Sequence, residues 1–412
     1  MRLTATARAR AMTALAVAAV TVAAGLAACS DDERPVGTVQ VASTLGPGEG
    51  SLNLVALPGT LESGGSDPRV DWVTPFQKRT GCKIDWKVAR TPREAGDLMH
   101  DRNRRYDGVA APPEVAGQLI ADHQATPVNT SLVDGYKKLE PRLRALLKRD
   151  GKYYGVPHVW GSNLLMYDTR AVQAPDSWAA LFAPEETRRY SGRLIMRDSP
   201  LSIAEAALYL KGRDRKLKIT DPYSLTAKQL AAAGRVLAKQ RPHVKRYWET
   251  PSDAVSAFAG GEAVLGEAWP YQVDVLTRAS KPVQGVVPSE GVTGWMNAWM
   301  IGARVQHPNC MYQWLQWTAS PDVQQQVAEW TGVAPANPQA CSGDRLKPGF
   351  CSAYHVGDRA YLDKVVFAHT PAKECGGDSD RSDCTDYAEW TKTWIESTKT
   401  LTDPARPSPA KP

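Results

Sequence analysis

Cys29 stands directly after Leu26-Ala27-Ala28, at the end of an apolar run over residues 11–28 that follows Arg2, Arg8 and Arg10. A basic flank, a short apolar stretch and small residues before a cut site describe a secretory signal removed from the mature chain. The run is short for a membrane-spanning helix. A cysteine immediately after the small residues looks like a bacterial lipobox, in which the thiol is acylated and becomes residue one. The expectation is a signal peptide over 1–28 and a lipid anchor at Cys29, holding an extracytoplasmic protein on the bacterial cell membrane.

Six further cysteines follow: Cys82, Cys310, Cys341, Cys351, Cys375 and Cys384. An even number in an exported chain predicts disulfides. The close pairs Cys341/Cys351 and Cys375/Cys384 could each clip a loop, which would leave Cys82 with Cys310. Fifteen connectivities remain open to six cysteines. A zinc site would want C-x-x-C spacing or nearby histidines at ligand spacing, and neither occurs. A secreted hydrolase would want a G-x-S-x-G elbow, and none is present. The seven histidines are scattered between His100 and His369 with no H-x-x-x-H pair, against a metallohydrolase. A ferric-ion site would want two tyrosines on one face, whereas the adjacent Tyr153 and Tyr154 sit in a strand-like stretch where neighbours alternate. No enzyme activity, metal or cofactor is expected.

The chain has 412 residues, about 384 after cleavage at Cys29. That is enough for two or three domains with sizeable cores. Formal net charge is +6, of which three charges are the signal arginines, leaving a value near +3. This is too weak to argue for nucleic acid, and no arginine–aromatic interleaving accompanies it. Residues 29–50 are polar with Gly and Pro and read as a tether. Residues 401–412 carry four prolines and read as a disordered tail. Between them the periodicity predicts strands over 52–57, 83–88, 108–110, 164–167, 193–196, 263–268 and 299–301. It predicts helices over 71–80, 92–104, 114–122, 203–210, 227–241, 271–278, 311–318 and 321–330. The alternation predicts an α/β architecture with mainly parallel sheets, divided into two lobes. Trp314, Trp317 and Trp330 lie on helices and read as core.

Several local phrases carry a resemblance. They are Trp72-Val73-Thr74-Pro75-Phe76, Thr80-Gly81-Cys82-Lys83-Ile84, Pro127-Val128-Asn129-Thr130-Ser131-Leu132 and Tyr154-Gly155-Val156-Pro157-His158-Val159-Trp160-Gly161. Later come Trp269-Pro270-Tyr271-Gln272, Pro288-Ser289-Glu290-Gly291-Val292-Thr293-Gly294-Trp295 and His307-Pro308-Asn309-Cys310-Met311-Tyr312-Gln313-Trp314. In this order they resemble the substrate-binding proteins of ABC importers, in the spermidine/putrescine branch, over roughly 52–394. The likeness is closer to a subgroup with cysteines at Cys82 and Cys310. The resemblance implies a two-lobe, type II periplasmic-binding-protein-like α/β fold with crossover hinge strands. Lobe one would take 51–159 and 294–334. Lobe two would take 160–293 and most of 335–400. The hinge would run through Trp160-Gly161, Gly294-Trp295 and a crossing near Pro335. A Cys82–Cys310 bridge would then lie within lobe one and leave closure free. The implied partners are a small solute and the permease and ATPase of one importer, with the receptor a monomer. A sensor lipoprotein on the same scaffold is the alternative.

A polyamine is an alkyl chain with ammonium ends. Its receptor needs aromatic faces, each worth about 0.5–2 kcal/mol to a cation, and carboxylates at the ends. The resemblance implies Trp295 and Trp269 as cleft aromatics, with Trp160 at the first crossover. Core packing is the other role open to each of the three. The acidic half departs from the branch. Asn297 stands in place of an aspartate, and Ser199 and Ser202 in place of two carboxylates, with only Asp198 acidic beside them. Glu114 replaces a cleft tyrosine, and Leu57 an aromatic. Glu267 lies two residues before Trp269, a spacing that shares one face of a strand. Glu114 follows Pro112-Pro113 and fits either a cleft acid or an acid on a helix N-terminus. The expected ligand is a small amine-bearing or cationic solute, putrescine and spermidine first. The alternative is a neutral or zwitterionic solute held by Asn297, Ser199, Ser202 and Asn163, whose side chains offer neutral donors and acceptors.

Overall fold

The computed structural model describes residues 42–375 and 383–399. Cys29, the signal and the tail over 401–412 lie outside the described residues, as does the tether up to residue 41. Ser51–Ala56 (β1) opens the fold. Val73–Thr80 (α1) follows and ends at Gly81, whose φ of 74° lets its N–H close on the Gln77 carbonyl. Lys83–Val88 (β2) leads to Pro92–His100 (α2). There Thr91 accepts the Glu94 N–H and Pro92 takes the first turn, where its missing N–H costs nothing. Gly108–Ala111 (β3) and Pro113–Ala121 (α3) complete this part. Strand β1 pairs in parallel with both β2 and β3.

The chain then runs through Val156–Asp168 (β4), Leu194–Arg197 (β5), Ile203–Arg213 (α4), Ala227–Gln240 (α5) and Val244–Trp248 (β6). Leu265–Ala268 (β7), Pro270–Arg278 (α6), Val283–Val286 (β8) and Val292–Gly302 (β9) follow. Pro308–Ala319 (α7), Pro321–Thr331 (α8) and the C-terminal Tyr387–Thr398 (α9) close the fold. The main sheet runs β2-β1-β3-β9-β4-β7-β5-β6. Strands β4 and β9 are long enough to belong to both ends of it. They pair antiparallel with each other, Asn163 opposite Thr293 and Gly161 opposite Trp295. Residues 334–335 pair with Trp160 and Val159 and add a third crossing.

Two hydrophobic cores flank these crossings. One gathers Leu52, Leu54, Phe76, Trp299 and Trp314. The other gathers Leu165, Trp178, Ile203, Trp390 and Trp394. The fold is therefore a two-lobe α/β fold joined by crossover strands. The sheet is mixed rather than mainly parallel. Each lobe has a parallel set, β2-β1-β3 and β7-β5-β6, but the crossovers must run back between the lobes and do so antiparallel. Trp314 is fully buried, while Trp330 is 38% exposed. The Trp330 indole reaches Glu62 at 3.2 Å and is no core residue.

The six cysteines pair Cys82–Cys310, Cys341–Cys351 and Cys375–Cys384. The first ties the head of β2 to α7 inside one core. The other two close loops of 10 and 9 residues' separation.

His158 on β4 is buried with its ring edge against Trp299 at 6.2 Å. Burial drives its pKa down to about 4, with only a Thr318 backbone group acting the other way. In the unfolded chain it titrates near 6.5. Between these values the unfolded state binds a proton that the folded state refuses, so stability falls as pH drops through that window. The shift corresponds to about 3 kcal/mol lost by pH 4. Urea unfolding from pH 7 to pH 4 should give a flatter profile for His158→Phe than for the wild type. Parallel profiles would assign the acid sensitivity elsewhere.

Candidate functional site

The crossover strands set the first wall. Trp295 stands opposite Gly161, where a Cβ would come within 2.6 Å of the indole, so only glycine lets the ring lie down. Trp269 sits just past β7, where its N–H donates to Gln272 Oε1 as α6 begins. The two indoles lie with centroids 5.0 Å apart, tilted by 53°. Trp248 meets Trp269 edge-on at 5.3 Å. Trp160, Gly161, Trp269, Tyr271, Trp295 and Tyr354 line a cavity of about 10 Å3, the room of about one water. The buried Trp295 Nε1–H has no partner among the described residues. Trp160 lines the same cavity, but its Nε1–H is spent on the Pro335 carbonyl at 3.1 Å and its ring packs on Phe367.

Behind Trp269 lies a buried polar cluster. The Trp269 Nε1–H donates to Asn163 Oδ1 at 2.8 Å. Asn163 Nδ2 donates to Glu205 Oε1 at 3.0 Å and to Thr293 Oγ1 at 2.7 Å, and the Thr293 hydroxyl also bonds Glu205. Glu205 Oε2 has no partner among the described residues. Glu267 Oε2 accepts the Arg197 backbone N–H at 3.2 Å, and Oε1 accepts the Ser202 hydroxyl at 3.4 Å. Both glutamates are fully buried. Burial pushes the Glu205 carboxyl up. Burial first, and the neighbouring Glu205 charge second, pushes Glu267 well above the ordinary carboxylate range.

Arg197 ends β5 and joins the two parts. Its guanidinium lies 5.3 Å from the Trp269 ring centroid, a cation–π distance. Its Nη2 is 3.6 Å from Glu114 Oε1 on the first turn of α3. Glu114 thus faces an ion partner across the lobes as well as a helix N-terminus.

The remaining sequence candidates disperse. Asn297 shares the Trp295 face of β9 by alternation and stands half-buried opposite Val159. Asp198 departs from the expected role. As Arg197 turns toward Trp269, its neighbour's carboxylate goes to the Trp394 indole at 2.9 Å and to the Lys399 ammonium, fastening α9. Ser199 accepts the Leu201 N–H at 3.2 Å and caps the short turn that follows. Ser202 is brought in only through Glu267. Sequence reasoning missed Arg197, Glu205 and Thr293. Glu205 left a signal, being the single acid in Ile203-Ala204-Glu205-Ala206-Ala207-Leu208. Arg197 left none beyond closing an apolar strand. Cys375, Asp383 and Cys384 also converge, but the two cysteines are joined to each other and offer no thiolate to a metal.

Comparison with known proteins gives the family and the fold. Residues 71–347 match the family model described as bacterial extracellular solute-binding protein. The chain is 25% identical over 265 residues to the spermidine/putrescine-binding periplasmic protein of Escherichia coli, covering 64% of this chain and 72% of that one. It is 24% identical over 316 residues to the putrescine-binding periplasmic protein PotF of the same organism, covering 72% and 83%. In structure it is similar to the spermidine/putrescine ABC transporter substrate-binding protein PotD of Streptococcus pneumoniae. That match has a TM-score of 0.64 at 16% identity over 84% of this chain and 96% of the other.

Proposed function

The chain belongs to the bacterial extracellular solute-binding proteins, and from that premise we propose that it captures a small amine-bearing organic solute between its lobes and hands it to an ABC permease and its ATPase. The lobes are taken as 51–159 with 294–334, and 160–293 with most of 335–400. The hinge is taken at Trp160-Gly161, Gly294-Trp295 and the crossing near Pro335. The observation that carries the reading is a charge imbalance. Glu114, Glu205 and Glu267 gather about Trp269 and Arg197, and Arg197 is the one cation placed among them in the described residues. A buried carboxylate without a counter-charge is costly, so the cluster either holds protons or accepts a cationic end. Trp269 and Trp295 supply the stacking faces such an end prefers. Asn163 and Asn297 would orient the polar groups. The relatives' names make spermidine and putrescine the first candidates. Those names are of binding proteins, which supports capture rather than catalysis.

A thermal-shift screen of the protein from residue 30 onward tests this reading. The panel holds diamines, polyamines, amino acids, quaternary amines and small sugars. A ligand at a hundred times its Kd stabilises by about 2.7 kcal/mol. An amine is expected to raise the melting temperature. A shift from sugars alone, or from nothing, would overturn the reading.

The same reading places the receptor outside the cytoplasm, as a monomer anchored through Cys29. No helix of the described residues is long and apolar enough to cross a membrane. An acyl chain gains about 0.8 kcal/mol per buried CH₂, and more than one is needed to hold. Cys29→Ala is expected to move the protein from the detergent phase to the aqueous phase or leave its signal uncut. Unchanged detergent partitioning would contradict the anchor.

A further inference from the structure

The cleft already contains the cation that one end of a diamine would supply. Arg197 lies over Trp269 at 5.3 Å and within 3.6 Å of Glu114, itself buried. An aromatic face beside a carboxylate is the position an ammonium seeks. Arginine cannot vacate it by losing its proton, since guanidinium stays charged at any physiological pH. At 3.6 Å the Glu114 contact is an ion pair rather than a hydrogen bond. The guanidinium makes no side-chain hydrogen bond among the described residues, which leaves a fork of donors at the cleft.

A second donor points the same way. Trp295 Nε1–H is buried and unpartnered. A Cβ on Gly161 would lie 3.1 Å from that nitrogen, and both residues line the small cavity between the lobes. Buried donors are ordinarily satisfied. A solute acceptor would satisfy this one, whereas an ammonium offers no acceptor at all. Glu205 Oε2 is an unpartnered acceptor behind Trp269. Arg197 thus lies over the face of Trp269, Glu205 is linked to its N–H edge through Asn163, and Trp295 packs beside the same ring.

We propose that Arg197, with Trp295, makes the cleft selective for a solute bearing one ammonium and one carboxylate, in preference to an α,ω-diamine. This rests on the amine-capture reading above and narrows it. The carboxylate takes the Arg197 fork and the Trp295 N–H, and the ammonium takes the Glu205 and Glu267 side. Arg197 is thereby a specificity-determining residue that excludes the second ammonium by like charge.

The test is calorimetric titration of 4-aminobutanoate and putrescine, which share a carbon chain and differ at one end. In the wild type, 4-aminobutanoate is expected to bind at least tenfold more tightly. In Arg197→Gln the order is expected to reverse, since Glu114, Glu205 and Glu267 then lack any internal cation. Arg197→Lys keeps the charge and is expected to keep the wild-type order. Tighter putrescine binding in the wild type, with Arg197→Gln weakening both solutes alike, would overturn the selectivity while leaving amine capture standing. Binding of neither solute, nor of any amine in the panel, would overturn both. The wild-type comparison decides the matter even where Arg197→Gln does not fold.

Discussion

Replacing Cys82 and Cys310 together by serine is expected to lower the stability of the protein by several kcal/mol while leaving the two short loops clipped. The bridge closes 228 residues of sequence. In the chain-entropy account a loop of that length removes about 5 kcal/mol of freedom from the unfolded state. Native bridges ordinarily deliver 2–5 kcal/mol on removal. Both cysteines are fully buried, so the two serine hydroxyls would add a desolvation cost of the same sign. The bridge lies inside one core, from the head of β2 to α7, and spans no crossover. Solute affinity per folded molecule is therefore expected to persist while the urea midpoint falls. A stability loss under about 1 kcal/mol would show that packing of Phe76 and Trp314 holds this corner unaided.

Much of the first lobe could be read from the residues. The alternation in Lys83-Ile84-Asp85-Trp86-Lys87-Val88 marked β2 to its ends. Proline at a helix start, as at Pro92, fixed where α2 begins. Its end fell at His100, short of the expected 104, because Asp101 turns extended with ψ 114°. Periodicity marks only 164–167 and 299–301 of the two crossover strands, and the crossings at Trp160-Gly161, Gly294-Trp295 and near Pro335 come from the resemblance alone. Strands buried on both faces carry no alternation, and Pro157, Gly161 and Gly294 interrupt their apolar runs. Helix α9 was missed although Asp386 and Glu389 form a capping box there.

The site divides in the same way. Glu267 and Trp269 touch different parts of Arg197: the carboxylate accepts its backbone N–H, and the indole, just past the end of β7, lies under its guanidinium. Asp198 was misplaced because sequence cannot say which of two adjacent residues at a strand end faces the cleft. Here Arg197 does, and Asp198 holds the C-terminal helix. Ser199 was spent on a local cap, the usual fate of a serine before a proline turn.

Glu267→Gln carries the second large effect. Glutamine keeps the shape and the Arg197 N–H contact and removes only the charge. Hydrogen bonds to charged groups are worth about 1.5–3 kcal/mol, so an ammonium-bearing solute should lose ten- to a hundredfold in affinity. The pH response has a definite sign. Burial raises Glu267 and Glu205 above their unfolded value near 4.3. As pH rises through that raised range the empty protein loses stability and its affinity for a cation grows, because each carboxylate becomes free to pair. Below the range, binding must expel a proton and weakens.

Calorimetric titration of 4-aminobutanoate and of putrescine into wild type, Glu267→Gln and the exposed control Glu185→Gln tests recognition by the buried carboxylates most directly. The expected result is one-to-one binding in the wild type, unchanged in Glu185→Gln and weakened at least tenfold in Glu267→Gln. Equal affinities in all three proteins would contradict it and place the charge that holds the solute outside the cluster behind Trp269.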